Sequence, residues 1–247
     1  MKNGEILKYL KNVLDNIPKN WLTDTTHRLN LYDEKLAKIQ FLEHFEALIN
    51  NSNYEHSALD NLPTAFDYIR LGHPLSCLLE WSIGRRCNLK AENIISFSSK
   101  TIPVMAILRE NLLNNKNTQI NYIGEVPEFL EKGILEKVYG YTFELNKINS
   151  IDEISTFKGS SVFISNQTKI SDISLINSVD FYVSWCAELG SILLVNGEAN
   201  ESYISNIQHV RRRETIAMTP ANSLAALNSL IYDTSLSTIK VHNTVFI

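Results

Sequence analysis

Tyr68 and Arg70 stand two residues apart in the stretch FDYIRLGHPLSCLLEW (66–81), just ahead of Gly72, His73 and Pro74. A guanidinium offers a planar fork of donors and a phenol a hydroxyl, a pairing suited to phosphate oxygens. A second reading is open for the same residues: a structural pair with a local carboxylate partner, at a turn into a helix beginning near Leu75. Ser98 and Ser99 follow a strand-like run and precede a helical window. Hydroxyls there either bond a phosphate at the helix N-terminus or cap the helix with no ligand at all. His73 reads as a turn residue, and Glu80 and Trp81 as part of a helix face. Cys77, Cys87 and Cys186 have neither metal-ligand nor Cys-x-x-Cys spacing and read as reduced, buried thiols of a cytoplasmic protein. No Ser/His/Asp constellation and no nucleotide-binding loop accompanies them.

The elements that must position these groups alternate in type. Residues 1–50 read as helices: Ile6, Leu7, Leu10, Val13 and Leu14 keep helical spacing up to Pro18. Asp33 is placed to cap a second helix with Leu36, Ile39, Leu42, Phe45 and Ile49 on one face. The polar run NNSNYEHS (50–57) separates a helical extension, 1–57, from the remainder, 58–247. In that remainder, NIISFSS, SSVFIS, VDFYVSW and GSILLVNG are strand candidates. Helical windows lie between them at 75–86, 103–115, 125–137, 151–157, 199–213 and 220–232. Such alternation implies an α/β sandwich around a largely parallel sheet.

Composition narrows the partners. A net charge of −4 gives no electrostatic reason to expect nucleic acid or an anionic membrane. Arg211, Arg212 and Arg213 are the local exception and read as the solvated face of a helix. No apolar run approaches the ~20 residues of a membrane span, and the N-terminus lacks a signal-peptide core. With only 9 glycines the chain is poor in the residue that lets backbone approach a phosphate closely.

Taken in order, the motifs resemble the Cys/Met-metabolism family of pyridoxal-phosphate enzymes, the cystathionine synthases and lyases. That family's Tyr-x-Arg-x-Gly-Asn-Pro-Thr signature, followed by a Leu-Glu helix, is similar to YIRLGHPLS (68–76) with Leu79 and Glu80 behind. Its strand ending in Ser-Gly-Met resembles ISFSSKTIPVMAIL (95–108), and its Tyr-Gly-Gly-Thr resembles YGYT (139–142). SNQTKISDISLI, VDFYVSWCAELGSILLV and IQHVRRRETIAMTPANSLAALNSL are similar to its later strands and helices, so the likeness spans roughly residues 60–235. The resemblance implies a three-layer αβα sandwich like the large cofactor domain of aspartate-aminotransferase-type enzymes, without their C-terminal small domain. It also implies cofactor-binding positions at Tyr68, Arg70, Ser98, Ser99, Lys100 and Tyr139. Tyr68 and Arg70 would reach a neighbouring subunit's cofactor phosphate, and Tyr139 would stack on the ring.

The departures carry equal weight. The lysine that holds the cofactor as a Schiff base should fall at Ala187 or Glu188, and no lysine lies between Lys169 and Lys240. A Schiff base requires a primary amine. The aspartate under the pyridine nitrogen belongs on a strand between DISLI and the lysine strand, yet Ile176 runs almost directly into Val179 and Asp180. Lys100 stands where the phosphate loop has glycine; its side chain obstructs backbone approach, while its ammonium can contact a phosphate directly. The expectation is a non-catalytic homologue with no covalently bound cofactor. Pyridoxal phosphate would be held non-covalently or in a site shared with a full-length homologue, in a homo- or hetero-oligomer. The alternative is an active lyase or γ-synthase of sulfur amino-acid metabolism, completed by another chain.

Overall fold

The computed structural model describes residues 3–23, 34–63, 68–125 and 128–238. Asp33, Lys240 and the start of the 66–81 stretch lie outside the described residues. Helices α1 (Asn3–Leu14), α2 (Glu34–Asn50) and the short α3 (His56–Asp60) precede α4 (Pro74–Cys87). Then come β1 (Ile94–Phe97), α5 (Ile102–Leu113), β2 (Thr118–Tyr122), α6 (Lys132–Tyr139), β3 (Phe143–Lys147), β4 (Ser160–Asn166), β5 (Phe181–Cys186) and β6 (Gly190–Val195). Helices α7 (Glu201–Glu214) and α8 (Pro220–Tyr232) follow.

The six strands form one sheet in the order β1-β6-β5-β4-β2-β3. Five run parallel, and β6 lies antiparallel between β1 and β5. One face packs Ile95, Ile120, Val162, Val183 and Leu193 against Val104 and Ile107 of α5 and Tyr203 and Ile207 of α7. The other packs Ile94, Phe163, Tyr182 and Leu194 against α4 and α8, with Phe41 and Phe45 of α2 in the same cluster. This is the α/β sandwich that the alternation implied, in the three-layer αβα form that the resemblance implied. Residues of α1 and α2, from the 1–57 segment, join the same hydrophobic cluster as α4 and α8.

Local chemistry fixes the elements around the first motif. His73 caps α4: its Nδ1 accepts the Ser76 N–H at 3.2 Å while the Ser76 hydroxyl accepts the His73 N–H at 3.0 Å. Pro74 opens the helix and Asn88 closes it in a left-handed conformation. Most of α4 is buried, so it shows little one-sided patterning.

Two strands were not legible. β2, TQINY, is buried despite its polar residues, and the Thr118 hydroxyl accepts from Asn111 at 2.8 Å. β3, FELNK, is an edge strand with Glu144 and Lys147 exposed. The 151–157 window is not an α-helix. Only Ile151–Glu153 turn, as a 3-10 helix, because the Ser150 side chain accepts the Asp152 N–H and the chain then extends into β4. The 125–137 window yields α6, which begins at Lys132.

Candidate functional site

The parallel strands all end at one edge of the sheet, and the residues after β1 emerge there. Ser98 donates its N–H and hydroxyl to the Ile216 carbonyl at 3.2 and 3.3 Å, and its hydroxyl lies 3.1 Å from that of Thr215. The Ser99 hydroxyl accepts the N–H groups of Thr101 and Ile102, both at 3.2 Å, and so caps α5 from within. Its carbonyl accepts the Ser191 hydroxyl at 2.6 Å, and the Lys100 carbonyl accepts the Trp185 indole N–H at 3.1 Å. Gly190 has φ 123°, and a Cβ there would sit 2.1 Å from the Phe97 carbonyl oxygen, so the turn after β5 can press against β1 only as glycine.

That turn, Ala187–Leu189, is where the resemblance puts the missing lysine. Ala187 is left-handed at φ 43° and half-buried, and Glu188 is exposed. Burial pushes the preceding Cys186 thiol up to about 12, against the pull of Ser184 and the Lys100 ammonium. The rings of Phe129 and Trp185, from the loop after β2 and the end of β5, meet 5.9 Å apart across the end of β4. β4 pairs directly with β5, so no strand lies between them to carry a ring-facing acid.

The 68–73 turn docks on the end of α7. Arg70 donates through Nη1 to the carbonyls of Arg212, Arg213 and Thr215 at 3.3–3.4 Å, where a cation suits the helix C-terminus. Among the described residues its partners are thus carbonyl oxygens, not the carboxylate of the structural reading. Tyr68 is half-buried and bridges Gly72. The Ala217 N–H donates to the Ile69 carbonyl at 3.1 Å, and His73 donates through Nε2 to the Met218 carbonyl at 2.6 Å. Because Nδ1 accepts from Ser76, the imidazole is the neutral Nε2–H tautomer. Burial lowers its pKa to about 4.

Beneath the turn lies a charge cluster that no sequence motif announced. Glu80, inside α4, accepts Lys38 of α2 at 2.6 Å on Oε2; on Oε1 it accepts the Ser96 N–H at 2.8 Å, the Ser96 hydroxyl at 2.7 Å and Arg211 at 3.4 Å. All three ionised side chains are about 95% buried. Burial pushes the Glu80 carboxyl up, but Lys38 and Arg211 outweigh it and hold it below its usual value. Arg211 is therefore not part of a solvated face: it donates to the Ser96 carbonyl at 2.9 Å and the Leu71 carbonyl at 2.7 Å. Only the pairing of a buried helical glutamate with a lysine 42 residues away could have betrayed the cluster, and no periodicity reports that.

The structure thus brings Tyr68, Arg70, Ser98, Ser99 and Lys100 to one end of the molecule. Tyr139 is not brought with them. It closes α6 shortly before Phe143, which pairs with Thr118 at the start of β2, so it lies towards the edge where the strands begin. There it is half-exposed and stacks on Tyr141, with centroids 5.4 Å apart. A groove of about 830 Å³ between α1, α2 and α4 shares no residue with these positions. Among the described residues no group of His, Cys, Asp or Glu could hold a metal ion, and no helix is long and apolar enough to cross a membrane.

No protein-family profile and no curated protein matches the sequence. Among solved structures, cystathionine gamma-lyase from yeast superposes with a TM-score of 0.51 at 11% identity, covering 90% of this chain and 62% of that one. The metB protein of Corynebacterium glutamicum gives 0.46 at 10% identity over 93% and 64%, and cystathionine gamma-lyase from Lactobacillus plantarum complexed with L-serine 0.43 at 10% over 70% and 54%. The yeast superposition shows that the two chains share a fold. The chain spans less than two thirds of the length of each of these proteins.

Proposed function

We propose that this chain is a non-catalytic homologue of cystathionine synthase- and lyase-type enzymes. It serves a full-length homologue as partner, regulatory or scaffolding subunit in a biosynthetic pathway. The observation that carries this reading is the Ala187–Leu189 turn, which offers no amine. The rest of the edge supports it. Ser99 spends its hydroxyl on the N–H groups that would face a phosphate, and Ser98 is bonded to Thr215 and Ile216. This donor set does not fit a covalently held pyridoxal phosphate, and the ring finds no opposing acid on a strand between β4 and β5. Arg70 is different, because among the described residues only its Nη1 is engaged, on three contacts no shorter than 3.3 Å. Tyr68 and Arg70 are the groups free enough to serve a cofactor phosphate in a partner's site. Three free, buried cysteines suit a cytoplasmic setting.

Lys100 favours the second reading, an active enzyme completed by another chain. Its charge bears on Cys186, beside the turn that lacks the amine. The experiment is to incubate the protein with pyridoxal phosphate, reduce with borohydride and map the labelled peptides. No stoichiometric label is expected. A single lysine labelled to completion, at Lys100 above all, would replace the first reading with the second. In a complex with a full-length homologue, Arg70→Ala should weaken cofactor retention about ten- to a hundredfold, the worth of a lost charge-assisted contact. Equal retention would leave Arg70 as a helix cap alone.

A further inference from the structure

Lys38 and Arg211 share one carboxylate, and they share it unequally. Lys38 sits 2.6 Å from Glu80 Oε2 and also donates to the carbonyls of Ala91 at 2.7 Å and Ile94 at 3.3 Å. Arg211 approaches Oε1 only to 3.4 Å, while its Nη2 holds the Leu71 carbonyl at 2.7 Å. Leu71 follows Arg70, so the guanidinium that could close on Glu80 is instead the one that pins the 68–73 turn.

We infer that Lys38 is a positioning residue for that turn: by satisfying Glu80, it leaves Arg211 free to hold Leu71 and hence to set Tyr68 and Arg70. Without Lys38, a buried carboxylate with one remaining cation draws Arg211 onto itself, because an unpaired buried charge is the costlier state. The Arg211–Leu71 bond is then lost, although neither residue has been altered. Helix α2, remote in sequence from the turn, thus controls the placement of the candidate phosphate donors. The inference rests on the proposed function only for the use made of those donors, since the coupling itself lies within the isolated chain.

Amide hydrogen exchange on the full chain separates this coupling from a general loss of stability. The amides to follow are Leu71 N–H, bonded to Tyr68 O, and Ala217 N–H, bonded to Ile69 O, with the β2–β4 ladder around Ile120 as reference. Lys38→Met at neutral pH should speed exchange at the turn on the order of tenfold relative to the ladder, the equivalent of one lost hydrogen bond to a charged group. One treatment should reverse it: Lys38→Met with Glu80→Gln removes the attracting charge and returns Arg211 to Leu71. A turn unaffected by Lys38→Met, or a double variant as loose at the turn as the single one, overturns the inference. If Lys38→Met alone does not fold, the double variant decides: turn protection like that of the wild type supports the coupling, and a loosened turn refutes it. Loss of cofactor retention in Arg70→Ala is a separate result and can fail while this one holds.

Discussion

At β1 the outward N–H and C=O groups meet charged side chains inside the protein, whereas at β3 the outer edge meets water. Lys38 takes the Ile94 carbonyl, Glu80 the Ser96 N–H and Arg211 the Ser96 carbonyl, so three ionised groups stand where another strand would pair. β3 is five residues long and keeps Glu144 and Lys147 exposed. Both are ways of denying a sheet edge to other chains. The difference lies in what holds them. Solvent screens the charges of β3, which can be changed singly, while those of β1 are held by one another, the backbone and the Ser96 hydroxyl. A buried ionic edge is sound only when complete.

The largest test of this contrast removes the shared carboxylate. Glu80→Ala leaves two buried cations and the Ser96 N–H without their acceptor and should cost roughly 3–5 kcal/mol, a large part of an ordinary domain's stability. Glu144→Ala on β3 should stay within about 0.5 kcal/mol. Urea unfolding of the two variants side by side reads both, and similar losses would erase the distinction.

A smaller effect comes from His73, which ties the turn above β1 to Met218. Its pKa falls on folding from 6.5 to about 4, so between those values the unfolded chain binds the proton and the folded one does not. Stability is then complete above pH 6.5 and declines as the pH falls towards 4, by roughly 3 kcal/mol in all. His73→Gln, whose neutral amide can still donate to Met218, should flatten unfolding free energy across that window. A profile as steep as that of the wild type would assign the acid sensitivity elsewhere.

Arg70→Ala should affect the fold less than a change at either Glu80 or His73. The guanidinium is half-buried and its bonds to the end of α7 are long, so the loss is about 0.3–1 kcal/mol. Thermal unfolding checks this. A loss of several kcal/mol would make Arg70 a structural clasp and undercut its availability to a ligand.

The sequence revealed one side of this comparison much better than the other. The strands β1, β4, β5 and β6 are runs of apolar residues bounded by turn formers, and alternation with helices was enough to imply the sandwich. Tyr68 with Arg70, and Ser98 with Ser99, could be picked out by type and spacing. What they bond to could not, since the carbonyls of 212–216 become partners only through the docking of α7. β2 was hidden because its polar residues bond one another inside the sheet, as Asn121 bonds Gln119. Arg211 was misread because a run of three arginines shows charge but not which member turns inward. Tyr139 kept a recognisable motif and yet lies apart, because a short match does not report which end of a strand it borders.

The pairing of β1 has a consequence for the order of assembly. Its one neighbour in the sheet is β6, and the register joins Ile94 to Leu194, a hundred residues further along the chain. Closing so long a loop is slow, and a chain emerging from the ribosome exposes its N-terminal part first. Until Gly190–Val195 are available, β1 has no strand to pair with, while β2 can already meet β3 and β4 through much shorter loops. The region around Ser98, seated on Gly190 and Ser191, is therefore expected to mature among the last parts of the molecule.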